Sequence, residues 1–172
     1  MRYWETSAIF PLIVDEPARE RLLELYRQDA RILAWWATPV EMASAVAPRE
    51  REGMISADEV DAAVKASKCL AAAWHEVFRS DMIRRTADRL LCVHPLRAAD
   101  SGRFSAALIA ANHDPSILER ICFDGRLTAA TRREGIVVID SRGAPGHLAI
   151  SRSAVGEFGQ NLTFCTTFVP LL

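Results

Sequence analysis

The sequence predicts an α/β domain in which a mainly parallel sheet of four to five strands lies between two helical layers. Three observations predict it. Short apolar runs suited to strands, at residues 2–5, 32–35, 119–123 and 136–139, alternate with longer segments of helical periodicity. Capping signals mark where several of those helices begin. The connections between successive strands are long enough for helical crossovers, which implies parallel pairing and helices on both faces.

Residues 2–5 form the first strand, with Tyr3 and Trp4 suited to a pleated surface. Thr6 or Ser7 can cap a brief helix from Ala8 that stops near Pro11. Pro17 opens a second helix carrying Leu22, Leu23, Leu25 and Tyr26, and residues 32–35 form a buried strand. Thr38-Pro39-Val40-Glu41 has the pattern of a capping box, with proline at the first helical position. Its helix is expected to kink or end at Pro48. Ser56-Ala57-Asp58-Glu59 is a second capping box, so these two helices form a hairpin.

Val77 and Phe78 suit a very short strand, and Met82, Ile83, Ala87, Leu90 and Leu91 mark an amphipathic helix ending near His94 and Pro95. Residues 96–111 continue helically with Asp100 in the first turn. Residues 119–123 form a strand that closes on Asp124, residues 127–133 form a helix, and Gly135 supplies its C-cap before the strand at 136–139. The regular pattern thus spans residues 1–139. Residues 140–172, with fewer charges and more Gly and Ser, read as a C-terminal extension.

At 172 residues, half hydrophobic and a quarter charged, the chain can bury one substantial core. Its formal net charge of −1 argues against nonspecific grip on a polyanion, but not against a nucleic acid held through metal ions and a local basic patch. Lys65 and Lys68 are the only lysines, so arginine carries the positive charge. Cys69, Cys92, Cys122 and Cys165 form no CxxC pair, which points to buried thiols in a reducing compartment rather than zinc or disulfides. No apolar run approaches the ~20 residues of a membrane span, and no signal segment opens the chain, so a cytoplasmic location and no membrane are expected. Patterns for a P-loop, a dinucleotide fold, a serine hydrolase or a zincin are missing.

Four acids stand at strand-to-helix junctions: Glu5, Glu41, Asp100 and Asp124. In an open parallel sheet, ligands sit outside the carboxyl ends of the strands, so the four positions are compatible with one rim. Gathered carboxylates repel unless a cation neutralises them, and their hard oxygens suit Mg²⁺ or Mn²⁺. Each also has an ordinary alternative. Glu41 can complete its capping box, Asp100 can favour a helix N-terminus, Asp124 can serve the turn before Gly125, and Glu5 can be a solvent-facing acid. Ser7 is either a hydroxyl of the site or a cap for the following helix. Arg84, Arg85, Arg89, Arg97 and Arg103 fit a solvated helix face better than a path for RNA, and Trp35, Trp36 and Trp74 fit core or interface.

Trp4-Glu5-Thr6-Ser7-Ala8, Thr38 through Ala45, Leu96-Arg97-Ala98-Ala99-Asp100 and Cys122-Phe123-Asp124-Gly125-Arg126-Leu127 resemble, in order, the successive motifs of PIN-domain proteins. The closest type is the VapC-like toxin ribonuclease of type II toxin–antitoxin pairs. The likeness covers roughly residues 1–139. It implies a PIN-like fold and an acidic pocket in which Glu5, Glu41, Asp100 and Asp124 hold Mg²⁺ or Mn²⁺, with Ser7 beside them. It further implies hydrolysis of RNA phosphodiesters by a metal-activated water, a homodimer, and a small antitoxin partner. The sequence departs from the family pattern at Glu5, where aspartate is usual, at Ser101-Gly102, at Pro48 and in the tail. These departures support an alternative reading, a catalytically weakened PIN domain that binds RNA or protein; a DNA-directed nuclease of the same fold is a third.

Overall fold

The computed structural model describes residues 1–139, so the predicted extension at 140–172 and Cys165 lie outside the described residues. Five strands form one all-parallel sheet in the order β3-β2-β1-β4-β5. They are β1 (Arg2–Trp4), β2 (Ile32–Trp35), β3 (His75–Val77), β4 (Arg120–Ile121) and β5 (Val138–Ile139). β1 is central, pairing Tyr3 with Leu33 of β2 and with Arg120 of β4.

Side chains alternate across the sheet with the period of two that strands impose. Trp4, Ile32 and Ala34 face one core with α1 (Thr6–Ile13), α2 (Arg19–Gln28), α3 (Thr38–Arg51) and α4 (Ala57–Ala73). Tyr3 and Leu33 face the other, where α5 (Asp81–Val93), α6 (Ala98–Ala110) and α7 (Gly125–Arg133) pack. The result is the expected three-layer α/β/α arrangement. The chain steps from β1 through β2 to β3, then returns over the opposite face to β4 and β5. Right-handed crossovers in two directions require helices on both faces. They also leave a topological switch point between β1 and β4, where open parallel sheets bind ligands.

Several local expectations change. α1 does not stop at Pro11, nor α3 at Pro48; both prolines lie inside their helices. Each forfeits one i→i−4 hydrogen bond. α1 is retained because seven of its eight residues are buried. α3 ends instead where Gly53 takes a φ of +68°, a conformation that costs glycine little. The Ser56–Glu59 capping box forms as read, with the Ser56 N–H donating to Glu59 Oε2 at 2.8 Å. The one at Thr38 does not: α3 begins on Ala37 without a side-chain cap. Gly135, at φ +86°, follows the end of α7 as anticipated. The strand expected at 119–123 shortens to Arg120–Ile121, and that at 136–139 to Val138–Ile139.

The Ser101-Gly102 pair, which weakens α6 by intrinsic propensity, has a packing reason. A Cβ on Gly102 would stand 2.8 Å from the Trp35 indole, so glycine lets the ring lie against the helix. Of the three described thiols, only Cys122 is buried; Cys69 is half-buried and Cys92 is exposed, and none of the three is in a disulfide. Expecting buried thiols throughout is thus wrong for Cys92, which sits on the solvent side of α5.

Candidate acidic pocket at the β1–β4 switch point

Glu5 is the residue on which β1 ends. Its backbone N–H donates to the Ile121 carbonyl at 3.0 Å, so the ladder between β1 and β4 fixes its position, while its own carbonyl receives the first N–H groups of α1. The side chain therefore leaves from the carboxyl edge of the central strand, at the switch point. It is buried. Its Oε1 is ion-paired to Arg120, itself fully buried. The Arg120 guanidinium lies 4.9 Å from the Phe104 ring centroid and 5.8 Å from that of Tyr3, and also donates to Thr131.

Glu41 comes in from the first turn of α3. Since no cap forms at Thr38, its carboxylate is free to turn inward: Oε2 accepts from the Thr6 hydroxyl and Oε1 lies 3.5 Å from Arg103 Nε. Asp100 comes from the first turn of α6 and does two things at once. Oδ2 accepts from the Arg97 N–H at 3.3 Å, completing the helix start, and Oδ1 is ion-paired to Arg103 Nη2. Three acids from β1, α3 and α6 thus meet around one guanidinium, whose Nε is also 3.8 Å from Glu5 Oε2. Tyr3 braces this turn of α6 against β1, its hydroxyl donating to the Arg103 carbonyl at 2.9 Å.

The electrostatics follow from that geometry. Burial pushes the Glu41 carboxyl above its usual range, the charges of Glu5 and Asp100 push the same way, and Thr6 and Arg103 oppose them. Burial works against the Arg103 charge, but Glu5, Glu41 and Asp100 more than offset it and hold the guanidinium above the ordinary arginine value. The Cys122 thiol behind the pocket is pushed up to about 11 by burial and then by Glu5. It is an inert thiol, not a nucleophile.

Asp124 and Ser7 stand differently. Asp124 is the N-cap of α7, its Oδ1 accepting from the Arg126 and Leu127 N–H groups at 2.9 and 3.1 Å. Among the described residues its carboxylate does not share Arg103 with the other three acids, so Glu5, Glu41 and Asp100 meet at one guanidinium while Asp124 caps α7. Ser7 does not cap α1; its Oγ accepts from the Phe123 N–H at 3.1 Å. That bond ties the β1–α1 turn to the loop carrying Asp124 and keeps the two junctions side by side.

No protein-family model matches the chain, and no curated protein matches it. The functional reading therefore stands on the pocket itself.

The pocket is chemically suited to a hard divalent cation. All three donors are carboxylates, and three negative charges face the two guanidinium groups of Arg103 and Arg120. Glu5 Oε2 is buried with no hydrogen-bond partner. As they stand, with Arg103 among them, no three His, Cys, Asp or Glu side chains among the described residues are arranged to hold a metal. The Arg103 guanidinium occupies the space between the three carboxylates. Arg103 belongs to the pocket rather than to a solvated helix face, and Arg120 is the second residue that reading by pattern misses. The signal for Arg103 is its spacing of three from Asp100, which places both on one helix face. For Arg120 it is an arginine inside an otherwise apolar strand.

Proposed function

We propose that the chain is a Mg²⁺- or Mn²⁺-dependent endoribonuclease of the PIN-domain, VapC-like type, acting as the toxin of a toxin–antitoxin pair. The observation that carries this reading is the meeting of Glu5, Glu41 and Asp100 at the carboxyl edge of the sheet, on the switch point between β1 and β4. Those three carboxylates would hold the ion. An ion held there would supply an activated water for attack on phosphorus and would offset charge on the leaving oxygen. Thr6 orients Glu41 through its hydroxyl, Arg120 holds Glu5 by an ion pair, and the Arg97 N–H fixes Asp100. Asp124 supports the rim by holding α7 in place, and Ser7 joins its loop to β1. The Ser7 hydroxyl proton remains available to a substrate oxygen.

The proposed partners are an RNA substrate, a small antitoxin covering the acidic pocket, and a second copy of the chain, in a cytoplasmic setting. No helix among the described residues is long and apolar enough to cross a membrane. The test is cleavage of structured RNA by the purified full chain with Mn²⁺ or Mg²⁺. EDTA-sensitive cleavage that is lost in folded Glu41→Gln and Asp100→Asn variants is expected. Cleavage that survives EDTA or both substitutions would overturn the reading. A second reading, a PIN-like module that binds RNA or protein without cutting, is favoured by one observation, the ion-pairing of Arg103 to all three acids. RNA retained on the protein without cleavage under any divalent ion would select it.

A further inference from the structure

Among the described residues Arg103 is the one cation that all three pocket acids share. It contacts Asp100 through Nη2, and its Nε lies 3.5 Å from Glu41 and 3.8 Å from Glu5. We infer that Arg103 is the resident cation of this pocket and that a divalent ion loads only by displacing its guanidinium. The inference rests on the metal-dependent reading above and adds to it the residue that sets the metal affinity.

Two unpaired atoms show that the guanidinium satisfies the pocket's charge but not its hydrogen bonding. Arg103 Nε and Glu5 Oε2 are both buried, and neither has a hydrogen-bond partner. Buried polar atoms of native proteins are nearly always paired, so this arrangement is held by charge while leaving a donor and an acceptor idle. Here the planar fork bonds Asp100 through Nη2 and leaves Nε without a hydrogen bond to Glu41 or Glu5, whereas a compact ion accepts six or more oxygens. Arginine also cannot leave by losing its proton, because the guanidinium stays charged at every accessible pH. It has to move out bodily.

The side chain is placed to do so. Arg103 retains 17% exposure, whereas Arg120 has none, so one guanidinium borders solvent and the other is locked in the core. Among the described residues the Arg103 side chain pairs with the three acids alone, so once they are taken up by an ion none of these residues holds it inward. Tethered to α6 one turn beyond Asp100, the displaced group stays close to the pocket, where it can meet an anionic phosphodiester. The guanidinium thus keeps the three acids folded together before metal arrives, and makes metal loading a competition between two cations.

The experiment is Mn²⁺ binding to the full-length chain without RNA, by titration calorimetry, for wild type, Arg103→Gln and Arg103→Lys. Arg103→Gln is expected to bind on the order of ten- to a hundredfold more tightly than wild type, the scale on which groups next to a ligand set shift metal affinity. Arg103→Lys, which keeps a cation, should stay near wild type. In parallel, Arg103→Gln should melt lower than wild type in EDTA and gain more from Mn²⁺. If it does not fold in EDTA, refolding from urea with Mn²⁺ alone should recover it, and failure to recover overturns the inference. Equal Mn²⁺ binding by wild type and Arg103→Gln overturns the inference but leaves the ribonuclease reading standing. No binding by any of the three removes both.

Discussion

The Arg120 guanidinium is ion-paired to the Glu5 carboxylate inside the core, with neither side chain more than 1% exposed. Two ions taken out of water recover their desolvation cost only through one another. Removing one partner strands the other. Arg120→Leu is therefore expected to destabilise the fold by about 3–5 kcal/mol, measured by urea unfolding. Glu5→Leu combined with Arg120→Met should recover most of that loss, since replacing a whole buried pair by apolar side chains is often neutral. A double variant no more stable than Arg120→Leu would show that the pair is not the source of the effect.

The same pair explains why glutamate stands at position 5. The carboxylate there must reach Arg120 across the β1–β4 edge while presenting its second oxygen to the pocket. Aspartate would end about 1.5 Å short, one C–C bond. The departure from the PIN pattern is thus matched by a partner in β4. Glu5→Asp is expected to melt below wild type rather than restore a better site, and its Mn²⁺ affinity should not rise. A stable Glu5→Asp with tighter Mn²⁺ binding would show instead that the extra methylene weakens the site, with Arg120 playing no part.

Glu5 and Glu41 were legible in the linear chain because each stands where a strand gives way to a helix, and parallel topology brings such junctions to one edge, whereas Asp100 lies in the first turn of α6, which follows α5. What answers them was not legible. Arg103 has the spacing of an ordinary surface ion pair with Asp100, and only the tertiary approach of Glu5 and Glu41 makes it a pocket residue. Glu41 carries the same ambiguity: its position completes a capping box on paper, but Thr38 is buried and forms no cap, which releases the carboxylate to Thr6 and Arg103. Asp124 does what its local chemistry predicts, capping α7 as an aspartate before Gly125 at a helix start. Strand lengths were overestimated because apolar residues such as Cys122 are buried beyond the ends of the ladder.

Gly102 offers a test in which propensity and packing oppose each other. Alanine at an interior helical site gains about 1 kcal/mol over glycine by propensity. Here its Cβ would lie 2.8 Å from the Trp35 ring, and overpacking of this kind costs roughly 1–3 kcal/mol. Gly102→Ala should therefore be neutral or destabilising in the wild-type background. In a Trp35→Leu background, where the ring is gone, the same change should stabilise. Urea denaturation of the four proteins measures both signs, and a stabilising Gly102→Ala with Trp35 present would refute the packing role.

Glu134 links the end of α5 to the end of α7 and makes stability there depend on pH. Its carboxylate accepts from Arg89 at 2.8 and 3.2 Å and lies 2.8 Å from His94 Nε2. The hydrogen bond from Arg89 is the main cause holding its carboxyl below the usual glutamate range, with His94 adding to it and partial burial opposing. A carboxyl whose folded value is depressed contributes stability above its unfolded value and loses it as pH falls through the folded one. With Arg89 half-exposed, solvent screens the pair, and its contribution at neutral pH should be about 0.2–1 kcal/mol. Glu134→Gln should thus melt below wild type at pH 7, and the gap should close as pH is lowered through the carboxylate range. Melting curves of both proteins along a pH series measure it; a gap that stays constant down the series would mean that Glu134 acts through packing and not through its charge.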